Sequence, residues 1–113
     1  PGPLMATYYS TKNYVVKLSE AIREELKIKK SNVQISILCP GPVNTNFNKV
    51  ANVKFALKGQ TSEYVARYAI DNMLKGKFYI VPGLKIKLAR RGAKITPSNL
   101  VAKICYKMQK KKM

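Results

Sequence analysis

The chain has 113 residues, of which 46% are hydrophobic, and this fits one small globular domain rather than a disordered chain. No apolar run approaches the roughly 20 residues that a membrane-spanning helix needs. The pattern of a signal peptide, a basic segment followed by an apolar stretch, is also not found. The sequence has no histidine and only two cysteines, too few ligands for a zinc site. We therefore expect a cytoplasmic protein with two free, buried thiols, at Cys39 and Cys105, and no metal site.

The net charge of +17 is unevenly distributed along the chain. Asp71 is the last acidic residue, and twelve lysines and arginines follow it. A positive field of this kind attracts nucleic acid, anionic lipid or a phosphorylated cofactor. The simpler interpretation is a solvated surface, and composition alone leaves these alternatives open.

A long helix and a buried strand are predicted in the first part of the chain. Apolar residues recur at spacings of three and four and predict a helix over 5–30; they are Val15, Leu18, Ala21, Ile22 and Leu26. The apolar segment 33–38 predicts a strand. Pro40-Gly41-Pro42 ends it, because two prolines cannot continue a hydrogen-bonded ladder. This order of elements is typical of an α/β fold with a parallel sheet.

The rest of the chain is predicted to hold a loop, three helices and one strand. Weak periodicity predicts a loop over 44–59 with a short helix around 53–57. Thr61 or Ser62 caps a helix over 61–75, whose predicted inner face is Val65, Tyr68, Ala69, Asn72 and Met73. The aromatic and β-branched segment 78–81 predicts a strand. Basic helices follow within 84–111, the first over 84–91 and the second starting at Thr96 or Ser98.

Tyr8 and Lys12 lie four residues apart near the start of the first predicted helix, so both side chains project from one face. A tyrosine phenol ordinarily has a pKa of about 10, too high for easy proton exchange at neutral pH. An ammonium group held close favours the phenolate. A Tyr/Lys pair at this spacing is therefore a sensible general acid/base unit, although many surface helices carry such a pair by chance.

The neighbourhood of this pair carries a family resemblance. The segment Tyr8-Tyr9-Ser10-Thr11-Lys12 is followed by the amphipathic helix and then by Cys39-Pro40-Gly41-Pro42-Val43-Asn44-Thr45. In this the chain resembles the short-chain dehydrogenase/reductase family, which has a Tyr-x-x-x-Lys helix and, about thirty residues later, a strand ending in Pro-Gly and a Thr. The likeness extends through residues 61–66 and 79–83, and the opening residues 1–6 look like one bacterial subgroup of the family.

The resemblance implies a fold and an activity. The fold is the C-terminal part of a Rossmann-like doubly wound parallel sheet, with two strands, four to five helices and the N-terminal nucleotide-binding half absent. The activity is hydride transfer between NADP or NAD and a small carbonyl or alcohol substrate. Neither the substrate nor the choice between the two cofactors is specified by these residues.

The resemblance also implies roles for individual residues. Tyr8 would donate a proton to a substrate carbonyl, and Lys12 would favour its phenolate and bind the nicotinamide ribose. The backbone after Pro40-Gly41 would lie along the nicotinamide, which Val43 would contact through its main chain and Thr45 through its hydroxyl. Within the loop 44–59, the part from residue 46 onward would be a substrate lid.

Several parts of the family's site are missing from the sequence. No Gly-x-x-x-Gly-x-Gly turn is present to bind a pyrophosphate, and the family's catalytic Ser and Asn, which precede the Tyr, are also absent. The start at Pro1-Gly2-Pro3, without an initiator methionine, suggests a piece of a longer protein. We therefore expect the 113-residue chain alone to be inactive as an oxidoreductase.

A basic amphipathic binding module is the alternative function. The C-terminal third has no recognisable nucleic-acid fold signature and few aromatic residues, so we expect no nucleic-acid partner. Weak contact with an anionic membrane surface is the better variant, because apolar residues alternate with lysines and arginines there. Packing of that apolar face on the rest of the domain is the competing interpretation. A cut sheet edge predicts a homo-oligomer, which light scattering would detect.

Overall fold

The computed structural model describes residues 1–46, 50 and 58–110. Over those ranges it is a mixed α/β structure with four helices and two parallel two-stranded sheets. The helices are α1 (Ala6–Ile28), α2 (Ser62–Leu74), α3 (Leu84–Ile95) and α4 (Ser98–Lys110). The strands are β1 (Ile37–Leu38), β2 (Val43–Asn44), β3 (Gln60–Thr61) and β4 (Tyr79–Ile80).

Helix α1 is close to its predicted extent of 5–30. It begins after Met5, and past Ile28 the backbone turns out of the helix at Lys30, where φ is 50°. None of its residues is buried, and the predicted apolar stripe is only partly covered. Ile22 and Leu26 are half-buried, whereas Val15 and Leu18 are exposed.

Strands β1 and β4 pair in parallel, with Ile37 opposite Tyr79 and Leu38 opposite Ile80. The Ile37 and Cys39 amides donate to the carbonyls of Phe78 and Ile80 at 2.7 and 2.8 Å. The predicted strands 33–38 and 78–81 were therefore too long, since two residues of each form a ladder. The reason is that a strand extends only as far as it has a partner, and apolar composition does not specify the partner.

Strands β2 and β3 form a second parallel pair that the sequence analysis did not predict. Val43 lies opposite Gln60 and Asn44 opposite Thr61, and the Gln60 amide donates to the Pro42 carbonyl at 2.9 Å. The Asn44 side chain also donates to the Gly59 carbonyl at 3.3 Å. The two ends of the predicted loop 44–59 are thus joined, which corrects its boundaries. The predicted short helix around 53–57 lies outside the described residues.

Helix α2 agrees closely with its predicted extent of 61–75. Thr61 is the N-cap, and its hydroxyl accepts a hydrogen bond from the Tyr64 amide at 3.2 Å. The helix ends at Leu74, and Gly76 follows with a φ of 70°, a backbone conformation that favours glycine. On the predicted inner face Val65 and Asn72 are buried, but Met73 is exposed.

The buried core is small and lies where α2 meets the β1–β4 sheet. Its buried hydrophobic members are Ile37, Val65, Phe78, Ile80 and Val81, joined by Pro82. Many large apolar side chains of the helices remain exposed instead. The core positions the loops that follow β1 and β4 but leaves much of α1, α3 and α4 uncovered.

Helices α3 and α4 occupy the predicted basic region 84–111. Helix α3 runs to Ile95, four residues beyond the predicted end, and the Thr96 hydroxyl donates to the Gly92 carbonyl at 2.7 Å. Helix α4 begins at Ser98, where the Pro97 carbonyl accepts from the Val101 amide at 3.1 Å. Ser98 is the first helical residue, whereas the sequence predicted either Thr96 or Ser98 as the cap before the helix.

Candidate active site

A cavity of about 230 Å³ lies beside the loops that follow β1 and β4. Because these strands are parallel, their carboxyl ends meet at one edge of the sheet, which is where open α/β folds bind ligands. Gly41 and Pro42 line the cavity from the first loop, and Gly83 lines it from the second. Further walls come from Gln60, Leu84 and Ile86, with Lys58 and Lys85 beside them.

Two glycines allow the walls of this cavity to approach one another. A Cβ on Gly41 would lie 2.8 Å from Cγ1 of Ile86, and a Cβ on Gly83 would lie 2.8 Å from Nε2 of Gln60. Gly83 also has a φ of 91°, which side-chain-bearing residues rarely adopt. The Oε1 atom of Gln60, a residue of the cavity wall, is buried without a hydrogen-bond partner.

Tyr8 and Lys12 lie together near the N-terminus of α1. The Lys12 Nζ atom is 5.6 Å from the centroid of the Tyr8 ring, within the range of a cation–π contact. Tyr8 is 47% exposed, and its carbonyl accepts from the Thr11 hydroxyl at 2.9 Å. The helical spacing thus places a phenol and an ammonium side by side at an accessible surface.

The predicted site residues fall into separate groups in the structure. Tyr8 and Lys12 form one group on α1, and neither is among the residues that line the cavity. Of the Pro-Gly segment, Gly41 lines the cavity, whereas Pro40 is exposed. Val43 lies in β2, and Thr45 is exposed directly after that strand.

Tyr9, the neighbour of the candidate acid, has a structural role. Its hydroxyl accepts from the buried Gln109 side chain of α4 at 2.8 Å. Its ring lies against buried Gly2, where a Cβ would be 1.9 Å from the ring. Neither contact was predicted, and no local pattern connects Tyr9 with Gln109 at the other end of the chain.

A second group that sequence reasoning missed surrounds the aromatic pair of β4. Arg23 lies 4.4 Å from the Phe78 ring centroid, and Arg90 lies 3.8 Å from that of Tyr79. The Tyr79 hydroxyl also donates to the Glu20 carboxylate. Cation–π contacts and this hydrogen bond therefore fasten α1 and α3 to the sheet. The sequence feature that could have predicted this group is the aromatic pair Phe78-Tyr79, which precedes a helix with two arginines, Arg90 and Arg91.

The Glu20 carboxylate and the Tyr79 phenol shift each other's titration. Hydrogen bonds from Lys17 and from Tyr79 lower the pKa of Glu20 below its usual value. Burial, and then the bond to Glu20, raises the pKa of Tyr79. Glu20 stabilises the fold above the ordinary pKa of a carboxyl group, and this stabilisation is lost as pH falls through the lowered pKa of Glu20. Tyr79 stabilises the fold below the ordinary pKa of a phenol, and this stabilisation is lost as pH rises through the raised pKa of Tyr79.

We expect the Tyr79→Phe variant to raise the pKa of Glu20 toward its ordinary value, because one of its two donors is removed. Carboxyl carbon-13 chemical shifts of Glu20 against pH measure this change. The exposed Tyr14 offers a matched control, since Tyr14→Phe removes a hydroxyl from α1 and leaves Glu20 untouched. An unchanged titration of Glu20 in Tyr79→Phe would contradict the contact.

Neither cysteine has the character of a nucleophile at the cavity. Both are free and half-buried, rather than fully buried as the sequence analysis expected. Burial raises the pKa of the Cys39 thiol, and the charge of Arg90 opposes this only in part. Cys39 is therefore a protonated thiol at neutral pH. Over the described ranges no cluster of three or more Cys, Asp or Glu side chains is arranged to hold a metal ion.

Comparison of the chain with protein-family models, with curated proteins and with solved structures gives no match. Within the described part of the chain, no helix combines the length and apolar content needed to cross a membrane. The functional interpretation therefore rests on the motifs and on the geometry around the cavity.

Proposed function

We propose that this chain is the catalytic, C-terminal part of an NAD(P)-dependent short-chain dehydrogenase/reductase, with a Rossmann-like doubly wound parent fold. The observation that carries the proposal is the cavity at the carboxyl edge of β1 and β4, beside the Pro40-Gly41 segment. Ligands of open α/β sheets bind in that position. The Tyr8/Lys12 pair on α1 supplies the acid/base chemistry that the family requires.

The residues present suit the nicotinamide end of the cofactor. The cavity, at about 230 Å³, is smaller than most sites for drug-sized ligands and suits a single ring. In this proposal Gly41, Val43 and Thr45 hold the carboxamide side, and Tyr8 and Lys12 bind the ribose.

In the proposed reaction the protein's own task is to move one proton. The cofactor supplies or accepts the hydride when bound. Tyr8 donates its phenolic proton to the carbonyl oxygen during reduction and accepts it during oxidation. The Lys12 ammonium, 5.6 Å from the Tyr8 ring centroid, attracts the negative charge that proton transfer leaves on the tyrosine.

The residues do not suit the adenosine and pyrophosphate end. That end requires a glycine-rich turn at a helix N-terminus, and the 113 residues contain none. We therefore propose that turnover requires a nucleotide-binding segment besides this chain. The chain alone is expected to show no carbonyl-dependent oxidation of NADH or NADPH, and turnover by it would contradict this part of the proposal.

Binding of half of the cofactor tests the proposal directly. We expect nicotinamide mononucleotide, at millimolar concentration, to shift the backbone amide signals of Gly41 and Gly83 in nuclear magnetic resonance spectra of the chain. Adenosine monophosphate, which carries the same ribose phosphate, is expected to leave them in place. Affinity at this level is normal for a ligand that fills one small subsite.

A pair of glycine variants makes this test specific. Gly41→Ala places a methyl group against Ile86 and is expected to weaken the nicotinamide response. Gly92→Ala adds the same methyl group where no atom lies within 4 Å, so its response is expected to match that of the original chain. Equal shifts from both mononucleotides, or no shift from either, would refute nicotinamide binding at this cavity.

A further inference from the structure

Three cations of helix α3 contact tyrosines of the protein, whereas an apolar stripe of the same helix faces solvent. Lys87 donates to the Tyr68 hydroxyl at 2.8 Å, while Arg90 and Lys94 lie 3.8 and 5.5 Å from the Tyr79 ring centroid. The opposite face carries Leu84, Leu88 and Ile95, at spacings that place them in one row. These three side chains, the α3 stripe, are 72%, 57% and 87% exposed.

Helix α4 also carries a partly exposed apolar row. Gln109 is buried, whereas Leu100, Ile104 and Met108, spaced by four residues, are each about half exposed. These three side chains form the α4 stripe. Packing of the apolar faces on the domain therefore does not describe the α3 stripe, whereas Leu100 and Ile104 of the α4 stripe also line a cavity of about 400 Å³ with Pro3. Apolar rows of this kind mark surfaces that another body covers.

The charged residues beside the two stripes indicate what kind of molecule covers them. Arg91 and Lys107 are exposed, and each lies seven residues after the first leucine of its stripe, hence next to it. No acidic residue follows Asp71 in the sequence. The ion pairs found in the described ranges involve Lys17, Lys27 and Arg67 of α1 and α2. The covering body must therefore be apolar and anionic together.

Two other occupants fit these observations less well. A second copy of the chain would bring +17 against +17 and place cations beside cations with no carboxylate between them. A nucleic acid would pair with the cations through its phosphates but would leave the leucine and isoleucine side chains in water. A layer of anionic lipid supplies phosphate at the depth of the cations and acyl chains at the depth of the stripes.

We infer that α3 and α4 dock on an anionic lipid surface, with the α3 and α4 stripes inserted and Arg91 and Lys107 at the level of the headgroups. The helices lie in the interface and do not cross it. This inference does not rest on the proposed oxidoreductase activity, because the stripes include neither Tyr8 nor Lys12, although Leu84 of the α3 stripe also lines the cavity. It gives the basic C-terminal region a role that the candidate active site does not.

The chain contains no tryptophan, so a single introduced indole reports on one face at a time. We expect Leu88→Trp and Ile104→Trp to shift their emission to shorter wavelength with vesicles containing phosphatidylglycerol. Vesicles of phosphatidylcholine alone are expected to give no shift at the same lipid concentration. Val15→Trp is the matched control, since Val15 is 52% exposed on α1, a helix that carries acidic residues.

Charge variants test the electrostatic part in the Leu88→Trp background. Arg91→Gln is expected to lower the partition coefficient about fivefold, the effect of one cation near an anionic surface. Lys29→Gln, at the end of α1, makes the same change in net charge and is expected to have a much smaller effect. Added salt is expected to weaken binding by screening. Far-ultraviolet circular dichroism checks that each variant keeps its helices.

Each other outcome would overturn the inference. If neither kind of vesicle shifts the emission, the helices do not bind lipid. If both kinds shift it equally, binding does not require anionic lipid. An equal shift for Val15→Trp means that binding is not specific to α3 and α4. If the emission shifts with rising protein concentration in the absence of vesicles, the stripes bind a second copy of the chain. If an oligonucleotide causes the shift, they bind nucleic acid.

Discussion

Ile80→Ala is expected to destabilise the folded chain by about 2–5 kcal/mol, the usual cost of truncating a buried isoleucine. Ile80 is 3% exposed and lies in β4, where its carbonyl also accepts from the Cys39 amide. The domain's free energy of unfolding is expected to be near the low end of about 5–15 kcal/mol, because the buried core is so small. Chemical denaturation followed by far-ultraviolet circular dichroism measures the loss.

Leu38→Ala is the matched control for that experiment. Leu38 lies directly opposite Ile80 in the ladder but is 42% exposed, so its truncation leaves the pairing intact and opens little cavity. We expect it to cost about 1 kcal/mol or less. If Ile80→Ala and Leu38→Ala lower the free energy of unfolding equally, the buried core does not lie on the β1–β4 sheet as described.

Tyr8→Phe is expected to lower the turnover of carbonyl reduction by about 10²–10⁴-fold, the usual contribution of a positioned general acid. The measurement requires the chain to be combined with a nucleotide-binding segment, by fusion or by co-expression, because the chain carries no glycine-rich turn. The readout is NADPH or NADH oxidation with a panel of small ketones and aldehydes. Removing only the hydroxyl leaves the ring that Lys12 contacts.

Two further variants separate proton transfer from structural damage. Tyr14→Phe removes an exposed hydroxyl from the same helix, and its turnover is expected to match that of the unmodified chain. Lys12→Met removes the ammonium that lies 5.6 Å from the Tyr8 ring centroid, and it is expected to lower turnover as well. Full activity in Tyr8→Phe would exclude Tyr8 as the proton donor.

What the sequence predicted well was local. The cap at Thr61 and the helix after it depend on residues within one turn of each other, and the structure places them as expected. Tyr8 and Lys12 share a face because helical periodicity alone brings them together. The strand at 33–38 was overestimated, because its extent depends on a partner forty residues later.

The remaining errors concern relations between distant segments. Nothing in the sequence near Gln60 connects it with Gly83, yet the two meet at the cavity. Periodicity also identified the apolar rows of α3 and α4, but it did not show whether each row faces the protein or the solvent. Because Tyr68 and Tyr79 bind the cations of α3, the row that sequence analysis would place inside faces solvent.

The hydrogen bond from Gln109 to Tyr9 has a consequence for the order of folding. It joins residues 100 positions apart, and closing so long a loop costs about 4 kcal/mol more chain entropy than a contact between neighbours. We therefore expect the contact to form late, after α1, α2 and the sheet have shortened the path between the two ends. Its removal is expected to speed unfolding while leaving the rate of folding nearly unchanged, as stopped-flow kinetics would show.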